Sequence, residues 1–218
     1  MERKEEDEEE IVCLDESFFI NDDYQLTTFT FGSQVIQLFC LHSASTDFDL
    51  TGQLVWPGAM LLNDYLSKNA KMLQGCSVIE LGSGVGITGI LCSRFCRDFV
   101  LTDHNDEILK KNIDLHASPE NPNYCTGLVA EKLEWGNSDQ INEILHNIPL
   151  LFDTVKQILQ IRGKGQCKFI LAYVSRAKIM DSLVISEATR HGMQITEVAG
   201  TRCVVGNLDG VIFEVTLQ

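Results

Sequence analysis

The segment "SVIELGSGVGITGILC" (residues 77–92) decides the fold class. Five residues typical of a β-strand precede glycines at positions 82, 84, 86 and 89, and an apolar stretch with helical character follows. Glycines at this density allow backbone conformations and close approaches that other residues do not permit. We therefore interpret the segment as a strand, a glycine-rich turn and a helix.

The same alternation continues toward the C-terminus. Strand patterns "DFVLTD", "YCTGLVAEKLEW" and "CKFILAYVSR" are interspersed with helical patterns, and "QITEVAG" and "GVIFEVTL" read as a closing pair of strands. This order predicts the α/β class, with a doubly wound, Rossmann-like, mostly parallel sheet and helices on both faces. Upstream, alternation on both sides of Gly32-Ser33 predicts an N-terminal β-hairpin from Tyr24 to His42.

Length and charge define the domains and the partner classes. A chain of 218 residues with 44% hydrophobic residues predicts one domain over residues 21–218, preceded by an acidic, disordered tail over residues 1–20. The net charge of −14 disfavours nucleic acid and anionic membranes as partners and favours a basic protein segment. With no apolar stretch of membrane-spanning length and a charged N-terminus, we expect a cytoplasmic protein, with the nucleus as a second location.

Cysteine and histidine spacing gives no sign of a metal site. The eight cysteines include no C-x-x-C pair, and the five histidines include no H-x-x-x-H spacing. Reduced cysteines that act as small apolar side chains account for this distribution. The sequence therefore predicts no bound metal.

A dinucleotide-type motif follows the first strand. Gly84, Gly86 and Gly89 satisfy G-x-G-x-x-G, and Asp103 ends the next predicted strand. In dinucleotide sites such a turn brings backbone N–H groups and a helix N-terminus against the pyrophosphate. A NAD-dependent oxidoreductase is therefore one hypothesis.

Glu80 favours a different cofactor. It lies two residues before Gly82 and extends the motif to E-x-G-x-G-x-G, a pattern typical of S-adenosylmethionine sites. A carboxylate at this place attracts a ligand that carries an ammonium and a sulfonium group, and it repels a pyrophosphate. Asp103 suits either cofactor, because its two oxygens can accept hydrogen bonds from both ribose hydroxyls.

Four segments carry a family resemblance. In order and spacing, "LVWPGAMLLNDYL", "VIELGSGVGITGI", "VLTDHNDEILKKNI" and "EKLEWG" resemble the seven-strand methyltransferases of the methyltransferase-like 21 (family 16) group, mostly protein-lysine methyltransferases. The resemblance extends from Tyr24 to the C-terminus and implies S-adenosylmethionine as cofactor. It implies that Trp56 borders the cofactor, that Gly82–Gly84 lies under its methionine part, that Asp103 binds the ribose and that Trp135 contacts the adenine. With the motif carboxylate, the predicted cofactor site comprises Trp56, Glu80, Gly82, Ser83, Gly84, Asp103 and Trp135.

The chain departs from this family after Trp135. There the family has a fourth strand followed by a D-x-x-Y segment, which shapes the lysine channel. Here "NSDQINEILHNIPLLFDTVKQILQI" keeps helical spacing of apolar residues before and after Pro149, and so predicts two consecutive helices. One central strand is thus expected to be missing at Ile148–Leu150. We assign no catalytic residue, and Arg176, at the end of "AYVSR", is a candidate for the rim of the site.

Three functional hypotheses follow. The first is an S-adenosylmethionine-dependent methyltransferase acting on a protein lysine, in an impaired or truncated form if the missing strand matters. The second is a non-catalytic protein-binding module on a degraded methyltransferase fold. The third is the NAD-dependent oxidoreductase, which rests on the glycine spacing alone. Glu80 and the set formed by Trp56, Asp103 and Trp135 favour the first.

Overall fold

A computed structural model describes residues 24–42, 52–104, 107–117, 127–133, 143–162 and 167–218. The predicted acidic tail lies outside these residues. The chain begins with the hairpin β1 (Gln25–Phe31) and β2 (Gln34–Cys40), which pair antiparallel. Gly32 has a φ of 59° in the turn between them, a conformation that favours glycine. The predicted hairpin is confirmed.

Strands and helices alternate after the hairpin. In the first half the elements are α1 (Pro57–Lys68), β3 (Ser77–Leu81), α2 (Ile87–Cys92), β4 (Asp98–Asp103), α3 (Glu107–His116) and β5 (Leu128–Lys132). In the second half they are α4 (Glu143–Arg162), β6 (Phe169–Val174), α5 (Lys178–Arg190), β7 (Met193–Glu197), β8 (Cys203–Val205) and β9 (Leu208–Leu217). Within these described elements, no helix is long and apolar enough to cross a membrane.

The strands form two separate sheets besides the hairpin. Strands β3, β4 and β5 are parallel neighbours, whereas β6 and β7 both pair antiparallel with β9, and β8 pairs with β9 as well. Among the described residues β3 pairs only with β4, and β6 pairs only with β9. The Rossmann-like α/β fold is confirmed, and the division falls where the sequence predicts a missing strand.

The segment after Pro149 differs from the prediction in one respect. Instead of two consecutive helices, one helix, α4, runs from Glu143 to Arg162. A proline inside a helix removes one backbone hydrogen bond and usually breaks or kinks the helix. Packing compensates here, because Phe152, Val155 and Leu159 are buried against α5 and the second sheet.

Two hydrophobic cores correspond to the two sheets. The first is formed by the hairpin, α1, α2, α3 and β4, with Ile36, Leu91 and Leu101 fully buried. The second is formed by α4, α5, β7 and β9. Leu81, the last residue of β3, packs against the second core. Helix α1 also bridges the two halves, because Asn63 Nδ2 donates to Thr88 Oγ1 in α2 while Gly58 lies against the carbonyl of Ala172 in β6.

Among the described residues, the face of the first sheet that is turned away from α2 is partly exposed. Ile79, Val100 and Val129 are aligned across β3, β4 and β5 by the strand register. Ile79 is 41% exposed and Val129 47% exposed, although both are large apolar residues in a parallel sheet. Parallel sheets are normally covered on both faces. In the described part of the chain this face is therefore less covered than a parallel sheet normally is.

Asn112 joins three elements at the opposite face. Its Oδ1 accepts from the N–H of Phe39 at 2.7 Å, and its Nδ2 donates to the carbonyls of Phe39 and Val85, both at 2.9 Å. Helix α3 thereby holds β2 of the hairpin and the turn after β3 in one arrangement. Because Asn112 is fully buried, loss of this amide would leave buried backbone groups without partners.

Gly89 explains how closely α2 approaches the sheet. A Cβ atom at this position would overlap the side chain of Leu101, which is fully buried.

We predict that Gly89→Ala lowers the free energy of unfolding by about 1–3 kcal/mol through overpacking. Gly58→Ala in helix α1 is the control, because a Cβ atom at this position would lie 3.6 Å from the carbonyl oxygen of Ala172, which is an ordinary van der Waals distance. Gly58→Ala should raise the free energy of unfolding by up to about 1 kcal/mol. Equal urea midpoints for the two variants would contradict the packing role of Gly89.

Candidate functional site

The turn between β3 and α2 is stabilised by its own glycines and by β4. Gly82, Gly84 and Gly86 have φ values of 70°, 53° and 84°, which other residues rarely adopt. Ser83 donates its N–H to the carbonyl of Thr102 at 2.9 Å, and its Oγ accepts from the N–H of Thr102 at 3.0 Å. The Ser83 side chain therefore faces the protein, whereas Gly82 is exposed.

Asp103 lies beside this turn, at the carboxyl end of β4. Its Oδ2 accepts from the N–H of Gly84 at 2.7 Å, and its Oδ1 accepts from the N–H of His104 at 2.8 Å. The Nδ1 atom of His104 is 2.9 Å from the same Oδ1. The structure thus brings two predicted site residues, Gly84 and Asp103, into direct contact and fixes the orientation of the buried carboxylate.

Glu80 lies beneath the turn, on the side of the sheet that α2 covers. Burial raises the pKa of Glu80 to about 7, against the opposing effect of the hydroxyls of Thr88 and Ser83 and of the Gly89 N–H. Its Oε2 is buried and has no hydrogen-bond partner among the described residues. A buried carboxylate oxygen without a partner is energetically costly. A cationic or hydrogen-bonding group of a ligand would reduce that cost.

Trp56 is connected to the turn through the segment that precedes α1. A Cβ atom at Gly84 would lie 2.7 Å from the carbonyl oxygen of Gly52, so the chain before α1 crosses directly over the turn. Trp56 is the half-buried residue that precedes Pro57, the first residue of α1. The guanidinium of Arg176 lies 4.1 Å from the centre of the Trp56 ring.

The predicted site residues thus form one cluster, with one exception. Glu80, the turn Gly82–Gly84 and Asp103 are neighbours, and Trp56 is linked to them through Gly52. Trp135 lies outside the described residues, so its proposed contact with the adenine stays a prediction.

Sequence reasoning did not single out Thr88 or His104. Thr88 is buried and carries a hydroxyl in the otherwise apolar helix α2. A polar residue at such a position indicates that another buried polar group lies nearby, and Thr88 could have been found in this way. His104 follows directly after Asp103, but its contact with that carboxylate depends on side-chain geometry that the sequence does not display.

Comparison with known protein families identifies the chain. The family model described as lysine methyltransferase matches residues 41–180, which is more than half of the chain and includes β3, α2 and β4. Together with the Rossmann-like fold, this match defines the class of protein as a methyltransferase. The chain belongs to the lysine methyltransferase family.

Individual relatives agree with this assignment. The chain is 32% identical over 149 residues to protein N-lysine methyltransferase METTL21A of Mus musculus, which covers 63% of this chain and 64% of that protein. It is 39% identical over 70 residues to EEF1A lysine methyltransferase 3 of Xenopus tropicalis, covering 31% of each protein. The chain spans less than two thirds of the length of these relatives.

Solved structures show the same fold at low sequence identity. The ribosomal protein L11 methylase from Lactobacillus delbrueckii subsp. bulgaricus has a TM-score of 0.51 and 13% identity, with 85% of this chain and 97% of that chain covered. The M. jannaschii tRNA m1G37 methyltransferase has a TM-score of 0.50 and 13% identity, and the similarity covers 90% of this chain and 56% of that chain. These two similarities concern the fold alone.

The cofactor of this family is S-adenosylmethionine, and the observed residues fit it. The unpartnered Oε2 of Glu80 is suited to the ammonium group of the methionine part. Asp103 is held at the end of β4 by Gly84 and offers carboxylate oxygens suited to ribose hydroxyls. The exposed turn at Gly82 allows close approach of a ligand to the backbone.

The buried carboxyl group of Glu80 predicts a pH-dependent stability. The folded chain keeps this proton up to about pH 7, whereas an unfolded chain releases it near the ordinary glutamate value of 4.5. The free energy of unfolding should therefore fall as the pH rises from about 4.5 to about 7. Glu80→Gln cannot ionise, so its stability relative to the native chain should increase over that range by on the order of 3 kcal/mol.

Urea denaturation at pH 5 and pH 8 measures this effect. Glu131→Gln, at an exposed position of β5, is the control and should have the same free energy of unfolding as the native chain at both pH values. If Glu80→Gln also follows the native chain at both pH values, the Glu80 carboxyl group is not desolvated as described.

Proposed function

We propose that this chain binds S-adenosylmethionine at the cluster around the glycine turn and transfers its methyl group to a lysine of a basic protein segment. The observation that carries the proposal is the pair of carboxylates on two sides of the turn. Glu80 lies beneath it with a buried oxygen that has no hydrogen-bond partner in the described part of the chain, and Asp103 lies beside it, bonded to Gly84. A nearby ammonium group would favour the ionised form of Glu80, and Asp103 suits two hydroxyls; S-adenosylmethionine carries both kinds of group.

Bound S-adenosylmethionine would supply an electrophilic methyl group on a sulfonium. The contribution of the chain is then positioning: the turn Gly82–Gly84, Glu80 and Asp103 would bind and orient the cofactor, with Trp56 and Trp135 at its borders. The attacking lysine must be neutral, although its ordinary pKa is about 10.4. Removal of water from the approach to the methyl group favours the neutral amine, and alignment supplies most of the rate.

The target fits the charge of the protein. The net charge of −14 attracts basic segments and repels polyanions, so a lysine within a basic protein segment is the favoured acceptor. The relatives named above support a protein acceptor, because METTL21A and EEF1A lysine methyltransferase 3 carry lysine methyltransferase in their names.

Methyl transfer can be measured directly. We expect the native protein to transfer tritium from S-adenosyl-[methyl-³H]methionine to a mixture of basic proteins, such as core histones, with the label recovered as methyllysine after acid hydrolysis. Asp103→Ala should reduce the label by about tenfold or more, because hydrogen bonds to a charged group are lost. Asp64→Ala is the control, since Asp64 is an exposed carboxylate on α1 that pairs with Lys68.

The divided sheet supports a second candidate, a protein-binding module without catalysis. Strands β3 and β6 have edges without a strand partner among the described residues, and in the family this region is continuous with the segment that shapes the lysine channel. If the folded chain is stabilised against heat neither by S-adenosylhomocysteine nor by NAD, the module is favoured over the enzyme. An oxidoreductase would instead be stabilised against heat by NAD.

A further inference from the structure

Two cysteines that are distant in sequence lie close together at the amino ends of β3 and β4. Cys76 directly precedes β3, and Cys96 lies two residues before β4. The N–H of Arg97, the residue after Cys96, donates to the carbonyl of Cys76 at 2.9 Å. Both cysteines are free thiols. The start of the parallel pairing between β3 and β4 therefore brings two thiols to neighbouring positions.

Both side chains belong to the face of the first sheet that α2 covers. Side chains alternate along a strand, so Cys76 shares a face with Val78, which packs against the first core. Cys96 packs against the same core, and its N–H donates to the carbonyl of Cys92, the last residue of α2. Neighbouring strands lie about 4.8 Å apart, and a disulfide joins Cα atoms about 4.4–6.8 Å apart. A cysteine next to the backbone partner of Cys76 fits that range.

The two thiols differ in their access to solvent. Cys76 is exposed, whereas Cys96 is half-buried. Burial, and to a smaller extent the charge of Cys76, raises the pKa of Cys96 to about 11. Cys96 therefore keeps its proton at neutral pH, and the exposed Cys76 is the thiol that a reagent in solution reaches first. An accessible thiol beside a second, resolving thiol is the arrangement that redox-sensitive sites use.

We propose that Cys76 and Cys96 form a thiol modification site, at which a small disulfide such as oxidised glutathione converts the pair into a reversible intramolecular disulfide. Cys76, as thiolate, first attacks one sulfur of the small disulfide and forms a mixed disulfide. One small thiol leaves and takes up the proton that Cys76 released. Cys96 then attacks the sulfur of Cys76, and the second small thiol leaves with the proton of Cys96. Two protein thiols are thereby oxidised, and one small disulfide is reduced to two thiols.

The new bond would close a covalent loop around β3, the glycine turn and α2. A cross-link at a native contact stabilises a fold mainly by restricting the unfolded chain. Cys76 precedes the first residue of β3 and Gly82 follows the last one, so the cross-link lies at the end of the strand opposite to the candidate cofactor site. The inference therefore goes beyond methyl transfer and does not depend on it.

Peptide mapping of the full chain tests the proposal. The native protein is equilibrated with oxidised glutathione, its remaining thiols are blocked with N-ethylmaleimide, and it is digested with trypsin without reductant. Residues 72–94 form one tryptic peptide, which contains Cys76, and residues 95–97 form another, which contains Cys96. We expect mass spectrometry to detect these two peptides as one disulfide-linked species that dithiothreitol separates.

Three variants identify the bond. Cys92 is fully buried but lies in the same peptide as Cys76, so the linked species must be absent from both Cys76→Ser and Cys96→Ser. Cys203→Ser is the matched control, because Cys203 is an exposed free cysteine on β8, and this variant should retain the linked species. The oxidised native chain should also unfold about 5–10 °C above the reduced chain, a difference that Cys76→Ser abolishes. Circular dichroism confirms that each variant is folded.

The outcomes separate this site from other thiol chemistry. Linked peptides in the native chain and in Cys203→Ser, but in neither Cys76→Ser nor Cys96→Ser, support the proposal. Linked peptides that persist in Cys76→Ser would assign the bond to Cys92 and overturn it. A native chain that carries only glutathione adducts, or only unmodified thiols at these positions, would overturn it as well.

Discussion

The candidate site depends on the hydrogen bonds that tie the glycine turn to the end of β4. The N–H of Gly84 donates to Asp103, and both backbone groups of Thr102 are bonded to Ser83: its carbonyl accepts from the Ser83 N–H, and its N–H donates to Ser83 Oγ. Positive φ values at Gly82, Gly84 and Gly86 make this geometry possible without strain. These contacts, all within the first half of the chain, therefore fix the turn and the carboxylate beside it independently of the second sheet.

This independence matters because the sheet is divided beside β3. In a continuous sheet the backbone groups of β3 and β6 would bond to a strand between them, and unpaired strand edges are a liability. The two halves are held together by other means: Leu81 packs into the second core, and α1 contacts α2 through Asn63 and β6 through Gly58. The glycine turn belongs wholly to the first half, so the division leaves its hydrogen bonds intact.

The features that could be predicted from the sequence are those that depend on local residue patterns. Alternation around Gly32 predicted the hairpin, and the helical spacing after Trp135 predicted a missing strand where the sheet is divided among the described residues. The single helix α4 was not predicted, because the packing of Phe152 and Val155 outweighs the local effect of Pro149. The contacts of Asn112 and of Arg176 with residues distant in sequence could not be predicted either, since they depend on tertiary geometry.

The central claim is that the glycine turn binds the methionine cofactor although the sheet is divided. Calorimetric titration of the folded chain with S-adenosylhomocysteine tests it most directly. The account predicts one molecule bound per chain with micromolar affinity, and loss of the binding heat in Asp103→Ala. Absence of binding by a native chain that circular dichroism shows to be folded would contradict the claim.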